Sequence, residues 1–128
     1  MTNPRILLVE DEAVVALSEQ FMLETLGYDV TCVASTGEEA IESACRDRPD
    51  LVLMDVRLRS GMDGIEAAQE IRRRFGTPIV FITALGDEDI RRRAAATGHA
   101  GYVLKPFTAA ELQHHVDTAL KRRATDQH

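Results

Sequence analysis

The sequence predicts an α/β fold in which one parallel sheet carries helices on both faces. Short apolar runs alternate five times with longer segments of helical periodicity, which is the pattern of consecutive β-α units. The apolar runs are continuous, as expected for strands that are buried on both sides. No repeat, low-complexity stretch or linker interrupts them, so we expect a single domain over residues 1–128 with a core at about 4–123.

The strands are predicted from the apolar runs, taken in order along the chain. They lie at about 5–9, 28–33, 51–55, 78–83 and 100–104. The segments between and after them give helices at about 13–26, 37–47, 64–75, 87–97 and 109–123. Thr36 and Thr108 each stand three residues before a glutamate, which is the capping-box pattern of a helix start. A glycine follows the first, third and fourth helices, where helices commonly end.

Apolar stripes predict which face of each helix enters the core. Four helices carry one: Val14, Leu17, Phe21 and Leu26 in the first; Ala40, Ile41 and Ala44 in the second; Ile65, Ala68, Ile71 and Phe75 in the third; Leu112, Val116 and Leu120 in the fifth. The fourth helix offers Ile90 and several alanines but no second large apolar residue. It should bury little area, so we expect it to shift more readily than the others.

Composition narrows the class of protein. The chain has 128 residues and a net charge of −6, which disfavours nonspecific binding to nucleic acid. No apolar run reaches the length of a membrane span and no signal-peptide pattern opens the chain. A soluble cytoplasmic protein that does not contact membranes is therefore expected. The two cysteines do not form a disulfide framework.

Three basic clusters lie at Arg72–Arg74, Arg91–Arg93 and Lys121–Arg123. The simplest interpretation is that they are solvated helix faces and helix ends. The competing interpretation is a contact surface for an acidic partner or a nucleic acid. No aromatic residues interleave and no helix-turn-helix pattern follows, so direct nucleic-acid binding is not expected. The cluster on the fourth helix is a candidate partner or homodimer surface.

Charged residues follow three of the predicted strands. Glu10 and Asp11 come after the first strand, Asp55 ends the third, and Lys105 follows the fifth. Because the carboxyl ends of parallel strands meet at one edge of a sheet, these side chains should converge. Clustered carboxylates with open positions suit Mg²⁺, and a lysine supplies a point charge for phosphate oxygens. Thr83, at the end of the fourth strand, offers a hydroxyl donor for the same purpose.

These residues, in this order, resemble the response regulator receiver domains of two-component signalling over nearly the whole chain. The motifs that carry the resemblance are Glu10-Asp11, Asp55, Met62-Asp63-Gly64, Thr83-Ala84, Tyr102 and Lys105-Pro106-Phe107. As a set at strand ends they are highly specific. The resemblance implies a doubly wound, flavodoxin-like sheet of five parallel strands in the order 2-1-3-4-5, with five helices. It also implies a signalling phosphoacceptor rather than a metabolic enzyme.

The resemblance further implies a role for each site residue. Asp55 corresponds to the phosphoacceptor, which takes a phosphoryl group from a histidine kinase or a histidine phosphotransfer protein. Mg²⁺ would be bound by Asp11, Asp55 and the backbone carbonyl of Arg57, with Glu10 acting through a metal-bound water. Lys105 would pair with the acyl phosphate.

The resemblance assigns a switch to the remaining residues. Thr83 would move to hydrogen-bond the phosphoryl group, and Tyr102 would then turn inward. The surface around the fourth helix, fifth strand and fifth helix would change with them and control a downstream output protein or domain. Asp63 is expected to cap the third helix rather than to take part in the chemistry.

The segment after Asp55 departs from the family pattern in two features without threatening the assignment. Arg59 stands where most members of the family carry proline, and the loop is one residue longer before Asp63. A Mg²⁺-dependent aspartyl-phosphate phosphatase uses related chemistry, but it normally needs an acid two residues after the nucleophile, where this chain has Arg57. A phosphorylation-independent protein-binding module is the other alternative, and the full acidic set argues against it.

Overall fold

The structure is a computed structural model that describes residues 3–58, 61–84, 88–96, 98 and 101–126. Within these residues, strands and helices alternate from beginning to end. The strands are β1 (Arg5–Val9), β2 (Asp29–Ala34), β3 (Leu51–Asp55), β4 (Ile79–Ala84) and β5 (Gly101–Lys105). The helices are α1 (Ala13–Thr25), α2 (Gly37–Asp47), α3 (Gly64–Phe75), α4 (Glu88–Ala96) and α5 (Ala109–Asp126).

The five strands form one parallel sheet in the order β2-β1-β3-β4-β5, which confirms the predicted topology. The register aligns the carboxyl ends of neighbouring strands. Val9 pairs with Met54, Asp55 with Ile82, and Ala84 with Lys105. Residues that follow β1 and residues that end β3, β4 and β5 are therefore held along one edge.

Two apolar cores lie on opposite faces of the sheet. Successive strand residues alternate between them, so Leu7 packs in one core and Leu8 in the other. The first core is completed by α2, α3 and Ala94 of α4, and the second by α1 and α5. All residues of β3 are buried, as the continuous apolar run predicted.

The predicted bounds agree with the structure to within one residue at most ends. Strands β2 and β4 each begin and end one residue later than predicted, and α5 extends to Asp126. The predicted ends of α4 at residues 87 and 97, and the predicted start of β5 at residue 100, lie outside the described residues. Among the described side chains of α4 only Ala94 is buried, which agrees with the expectation that this helix is weakly anchored.

The predicted core stripes are confirmed for α2, α3 and α5. The stripe predicted for α1 is wrong in three of its four residues, since only Leu26, just after the helix, packs against the second core. Val14, Leu17 and Phe21 are 83%, 68% and 71% exposed. The buried face of α1 consists of Ala16, Glu19 and Leu23. Both sets have the same helical spacing, but they are offset by two residues, which is about 200° around the helix. The more apolar stripe therefore faces solvent, and periodicity alone did not distinguish the two faces.

This orientation of α1 predicts opposite outcomes for two truncations on one helix. Phe21→Ala should change the free energy of unfolding by less than about 1 kcal/mol, because little area is buried there. Leu23→Ala should cost about 2–5 kcal/mol, because Leu23 is fully buried in the second core. Urea unfolding of both variants measures the difference. A larger loss for Phe21→Ala than for Leu23→Ala would show that the helix is rotated.

Candidate functional site

The carboxyl edge of the sheet forms a crevice of about 380 Å³. Its lining comes from the ends of β3, β4 and β5 and the loops after β1 and β3: Asp11, Glu12, Asp55, Arg57, Leu58, Thr83, Ala84 and Lys105. Glu10 reaches the same place, since its carboxylate lies beside Lys105. Strand register thus brings together side chains that are far apart in the sequence and that were predicted to converge.

Three carboxylates come together at this crevice. Glu10, Asp11 and Asp55 each offer one oxygen, and these atoms all lie within 4.8 Å of one another. Backbone amides orient two of them: the Glu12 N–H donates to Glu10 Oε2 at 3.1 Å, and the Arg57 N–H donates to Asp55 Oδ1 at 3.0 Å. Both acids are almost fully buried. Their conformations are therefore set by the loops that follow β1 and β3.

The pKa of Glu10 is raised to about 7, chiefly by burial and also by the nearby Asp55 carboxylate. The Glu12 amide and Lys105 oppose this shift. Desolvation and a like charge both disfavour an ionised acid, whereas a cation favours it. The crevice therefore carries more negative charge than it can readily hold alone, and it is suited to binding a cation.

Lys105 is the cation that the chain itself supplies. Its Nζ lies 3.5 Å from Glu10 Oε1 and 3.8 Å from Asp55 Oδ2. Burial lowers the pKa of Lys105, but the carboxylates of Asp55, Glu10 and Glu19 outweigh burial and raise the pKa above its ordinary value. The ammonium group is therefore charged in the working pH range and is held at the mouth of the crevice. The Lys105-Pro106 peptide bond is cis.

Comparison with known proteins decides the family. The profile of the response regulator receiver domain matches residues 6–117. The chain belongs to the response regulator receiver domain family. Receiver domains generally act as signalling phosphoacceptors and bind Mg²⁺ through acidic residues.

Curated relatives are transcriptional regulators. The chain is 39% identical over 118 residues to the transcriptional regulatory protein PdtaR of Mycobacterium tuberculosis, covering 92% of this chain and 57% of that protein. It is 36% identical to the probable transcriptional regulator ycf27 of Guillardia theta, covering 94% of this chain and 47% of that protein. The receiver domain thus spans about half the length of the curated relatives it matches.

Solved structures share the whole fold. The signal receiver domain of a modulated diguanylate cyclase from Desulfovibrio desulfuricans G20 has a TM-score of 0.91 at 35% identity, covering 97% of this chain and 98% of that one. The N-terminal domain of a response regulator/sensory box/GGDEF protein from Carboxydothermus hydrogenoformans has a TM-score of 0.88 at 35% identity, covering 97% and 99%. Among the described residues, no helix is both long and apolar enough to cross a membrane.

The donor set of this receiver domain fits Mg²⁺. Glu10, Asp11 and Asp55 present hard oxygen ligands within reach of one ion, and an open crevice leaves room for water or phosphate oxygens. Arg57 also lines the crevice, with its amide bound to Asp55. Its backbone carbonyl as a further ligand stays a prediction.

The hydroxyl groups of Thr83 and Tyr102, the two residues predicted to form a switch, are both buried. Thr83 is 2% exposed, and its Oγ1 makes no hydrogen bond within the part of the chain that the structure describes. The ring of Tyr102 packs against the first core, and its hydroxyl is buried. The inward orientation, which was predicted to follow phosphorylation, is thus already present here. The Thr83 hydroxyl is therefore a hydrogen-bond donor beside the crevice that no described residue accepts from.

Asp63 has the structural role that was predicted for it. Its carboxylate accepts from the Glu66 N–H at 2.9 Å, while the Glu66 carboxylate accepts from the Asp63 N–H at 3.2 Å, so the two form a complete capping box. The other Asp63 oxygen accepts from Arg93 of α4 at 2.8 Å. Asp63 therefore joins the start of α3 to α4.

One buried acid near the site was missed by sequence reasoning. Glu19 lies on the buried face of α1 and is 4% exposed. Burial raises its pKa to about 7; Lys105 lowers the pKa and Asp55 raises it. The only available signal was its spacing from Ala16 and Leu23, and the stronger apolar stripe on the opposite side of α1 obscured that signal.

Proposed function

We propose that Asp55 accepts a phosphoryl group from a phosphohistidine on a histidine kinase or histidine phosphotransfer protein. The proposal is supported above all by one observation: at the carboxyl edge of the sheet, Asp55 lies close to two further acids and to a lysine. A carboxylate is a competent nucleophile for phosphoryl transfer. The surrounding charges suit both a divalent cation and a phosphoryl group.

The geometry of Asp55 supports a direct displacement. Oδ1 is held by the Arg57 amide, whereas Oδ2 lies on the side of Lys105. As an Asp55 oxygen forms its bond to phosphorus, the bond between phosphorus and the histidine nitrogen breaks, and the imidazole leaves with the electron pair. Lys105 offsets the negative charge on the phosphoryl oxygens.

Asp11, Asp55 and the Arg57 carbonyl would hold Mg²⁺, with Glu10 acting through water. The ion would supply positive charge that offsets the charge of the phosphoryl oxygens. Because Glu10 has a raised pKa, ionisation of this acid and cation binding should favour each other. Through this coupling, Glu10 would contribute to cation binding, which a carboxylate with a purely structural role would not do.

The surface around α4, β5 and α5 would then carry the response. The Thr83 hydroxyl is available to hydrogen-bond a phosphoryl oxygen, and Tyr102 lies on the neighbouring strand. Helix α4 is anchored by Ala94 and by the ion pair of Arg93 with Asp63. An exposed ion pair contributes little to stability, so α4 is held only weakly in its position. A movement of the Thr83 side chain toward a phosphoryl group would then be enough to shift this helix. A downstream protein or output domain would read that shift.

The exposed stripe of α1 is the proposed contact for the phosphodonor. Val14 belongs both to this stripe and to an apolar groove of about 610 Å³ between α1 and Phe107. Lys105 lines this groove and also the crevice. A protein seated on the stripe would therefore bring its phosphohistidine beside Asp55.

Removing the stripe should separate protein donors from small donors. In a Leu17→Ala, Phe21→Ala variant, transfer from a phosphorylated histidine protein should slow about tenfold or more, because apolar contacts are lost. Uptake from acetyl phosphate should not change, since the crevice is untouched. Val33→Ala, which truncates a partly exposed apolar residue on β2, is the matched control. Equal slowing with both donors would place the defect in the crevice instead.

The proposed function is tested by incubating the protein with Mg²⁺ and acetyl phosphate and measuring its intact mass. We expect a single phosphate adduct that is absent in Asp55→Asn. Asp63→Asn is the matched control: it makes the same change at a helix cap outside the crevice, and its adduct should persist. Turnover of added phosphomonoesters would favour the phosphatase. No adduct from any donor, a histidine kinase included, would overturn the proposal in favour of a phosphorylation-independent binding module.

A further inference from the structure

Glu19 is a buried acid that the proposed chemistry does not use. It reaches the interior from α1, whereas the other acids near Lys105 come from the ends of β1 and β3. Its Oε1 has no hydrogen-bond partner among residues 3–58, 61–84, 88–96, 98 and 101–126. A buried carboxyl oxygen without a hydrogen-bond partner is costly, so its presence calls for an explanation.

The lining of the two cavities locates Glu19 relative to Lys105. Asp55 lines the crevice, Glu19 lines the apolar groove, and Lys105 lines both. Lys105 therefore lies where the two cavities meet, with Asp55 lining one of them and Glu19 lining the other. Asp55, Glu10 and Glu19 are the three carboxylates whose charge acts on it. Of these three acids, Glu19 alone is neither the proposed nucleophile nor a predicted ligand of the cation.

We propose that Glu19 is a positioning residue that competes with the phosphoryl group for the Lys105 ammonium. The inference rests on the proposed function. A carboxylate on the groove side attracts the ammonium away from the crevice, and the burial of Glu19 limits the screening of this attraction by water. When a phosphoryl group occupies Asp55, Lys105 has to give up part of this attraction. Glu19 thus weakens the phosphorylated state and keeps the unphosphorylated state favoured.

Beryllofluoride, which mimics a phosphoryl group on a carboxylate, measures this competition at equilibrium. With Mg²⁺ at pH 8, where Glu19 is ionised, Glu19→Gln should lower the apparent Kd roughly threefold to tenfold. The change is read by ¹⁹F NMR titration. Glu24→Gln is the matched control, because it removes the same charge from an exposed position of α1. Glu19→Leu should reproduce the effect of Glu19→Gln, since both remove the charge, and it keeps the test available if one variant folds poorly.

A double-mutant cycle separates positioning from a merely structural role. In a Lys105→Gln background, Glu19→Gln should leave the Kd for beryllofluoride unchanged, because the shared partner is gone. An equal effect with and without Lys105 would overturn the inference. So would a Kd that is unchanged or raised in Glu19→Gln, or one that falls equally in Glu24→Gln.

A second measurement needs neither metal nor phosphoryl chemistry. The ¹³Cε resonance of Lys105, recorded at pH 8 without Mg²⁺, should shift in Glu19→Gln and stay in place in Glu24→Gln. If beryllofluoride binds neither wild type nor variants, the proposed function fails. The Lys105 resonance then still shows whether Glu19 acts on the lysine, and an unshifted resonance would overturn the inference by itself.

Discussion

Replacing Gly64 with alanine should destabilise the fold by about 3 kcal/mol or more. A Cβ at this position would lie 2.2 Å from the carbonyl oxygen of Asp55 and 2.9 Å from the Cα of Val56. Both are backbone atoms, so no flexible side chain is able to move aside. The Gly64 N–H also donates to the Val56 carbonyl at 3.1 Å, which holds the start of α3 against the end of β3. Relief of the clash must therefore displace either the end of β3, which carries Asp55, or the start of α3.

Urea unfolding measures this loss, and Gly76→Ala provides the matched control. Gly76 ends α3 with a positive φ of 69°, and an added Cβ there meets nothing within 4 Å. Its replacement should cost only about 1 kcal/mol of backbone strain. Because the two glycines flank the same helix, the difference between them isolates the close approach to β3. Equal losses in the two variants would mean that the α3 start adjusts without strain.

The fold was predictable because local patterns and tertiary packing agree in most elements. Strands β1, β3 and β4 are continuous apolar runs, and only burial on both faces explains such runs. Helix α1 is the exception, since it carries two stripes of the same period on opposite sides. Its more apolar stripe faces solvent, and a sequence pattern holds no information on which neighbour covers a helix. The rotation of α1 is decided by its packing against β1 and β2.

The site was predictable wherever it depends on strand ends. Asp55 ends the buried strand β3 and Lys105 ends the partly exposed edge strand β5, so topology alone brings them together. Glu19 was not predictable in this way, because a residue inside a helix meets the site only through the rotation of that helix. The ion pair of Arg93 with Asp63 likewise depends on how α4 lies against the start of α3. A contact between two helices that are far apart in the chain produces no periodic pattern in the sequence of either helix.

Lys105→Gln should slow phosphorylation by acetyl phosphate about a hundredfold, because one preorganised positive charge on the phosphoryl oxygens is lost. The same change should leave Mg²⁺ binding intact or strengthen it. Lys105 lies 3.5 Å from Glu10 Oε1 and 3.8 Å from Asp55 Oδ2, so its removal makes the crevice more negative. It should also raise the pKa of Glu10 further, since Lys105 lowers that pKa. Intact-mass time courses give the rate, and calorimetric titration gives the Mg²⁺ affinity.

The role of Lys105 is identified by the combination of slower phosphorylation and undiminished Mg²⁺ binding in Lys105→Gln. A lysine that merely neutralised the acids would, on removal, alter Mg²⁺ affinity and leave the rate of transfer nearly unchanged at saturating Mg²⁺. A lysine that maintained the shape of the crevice would weaken both. Lys121→Gln, which makes the same charge change at an exposed position near the far end of α5, controls for net charge. Slow transfer combined with full Mg²⁺ binding is expected only if Lys105 contacts the phosphoryl group itself, and a variant that transfers at the wild-type rate would exclude that contact.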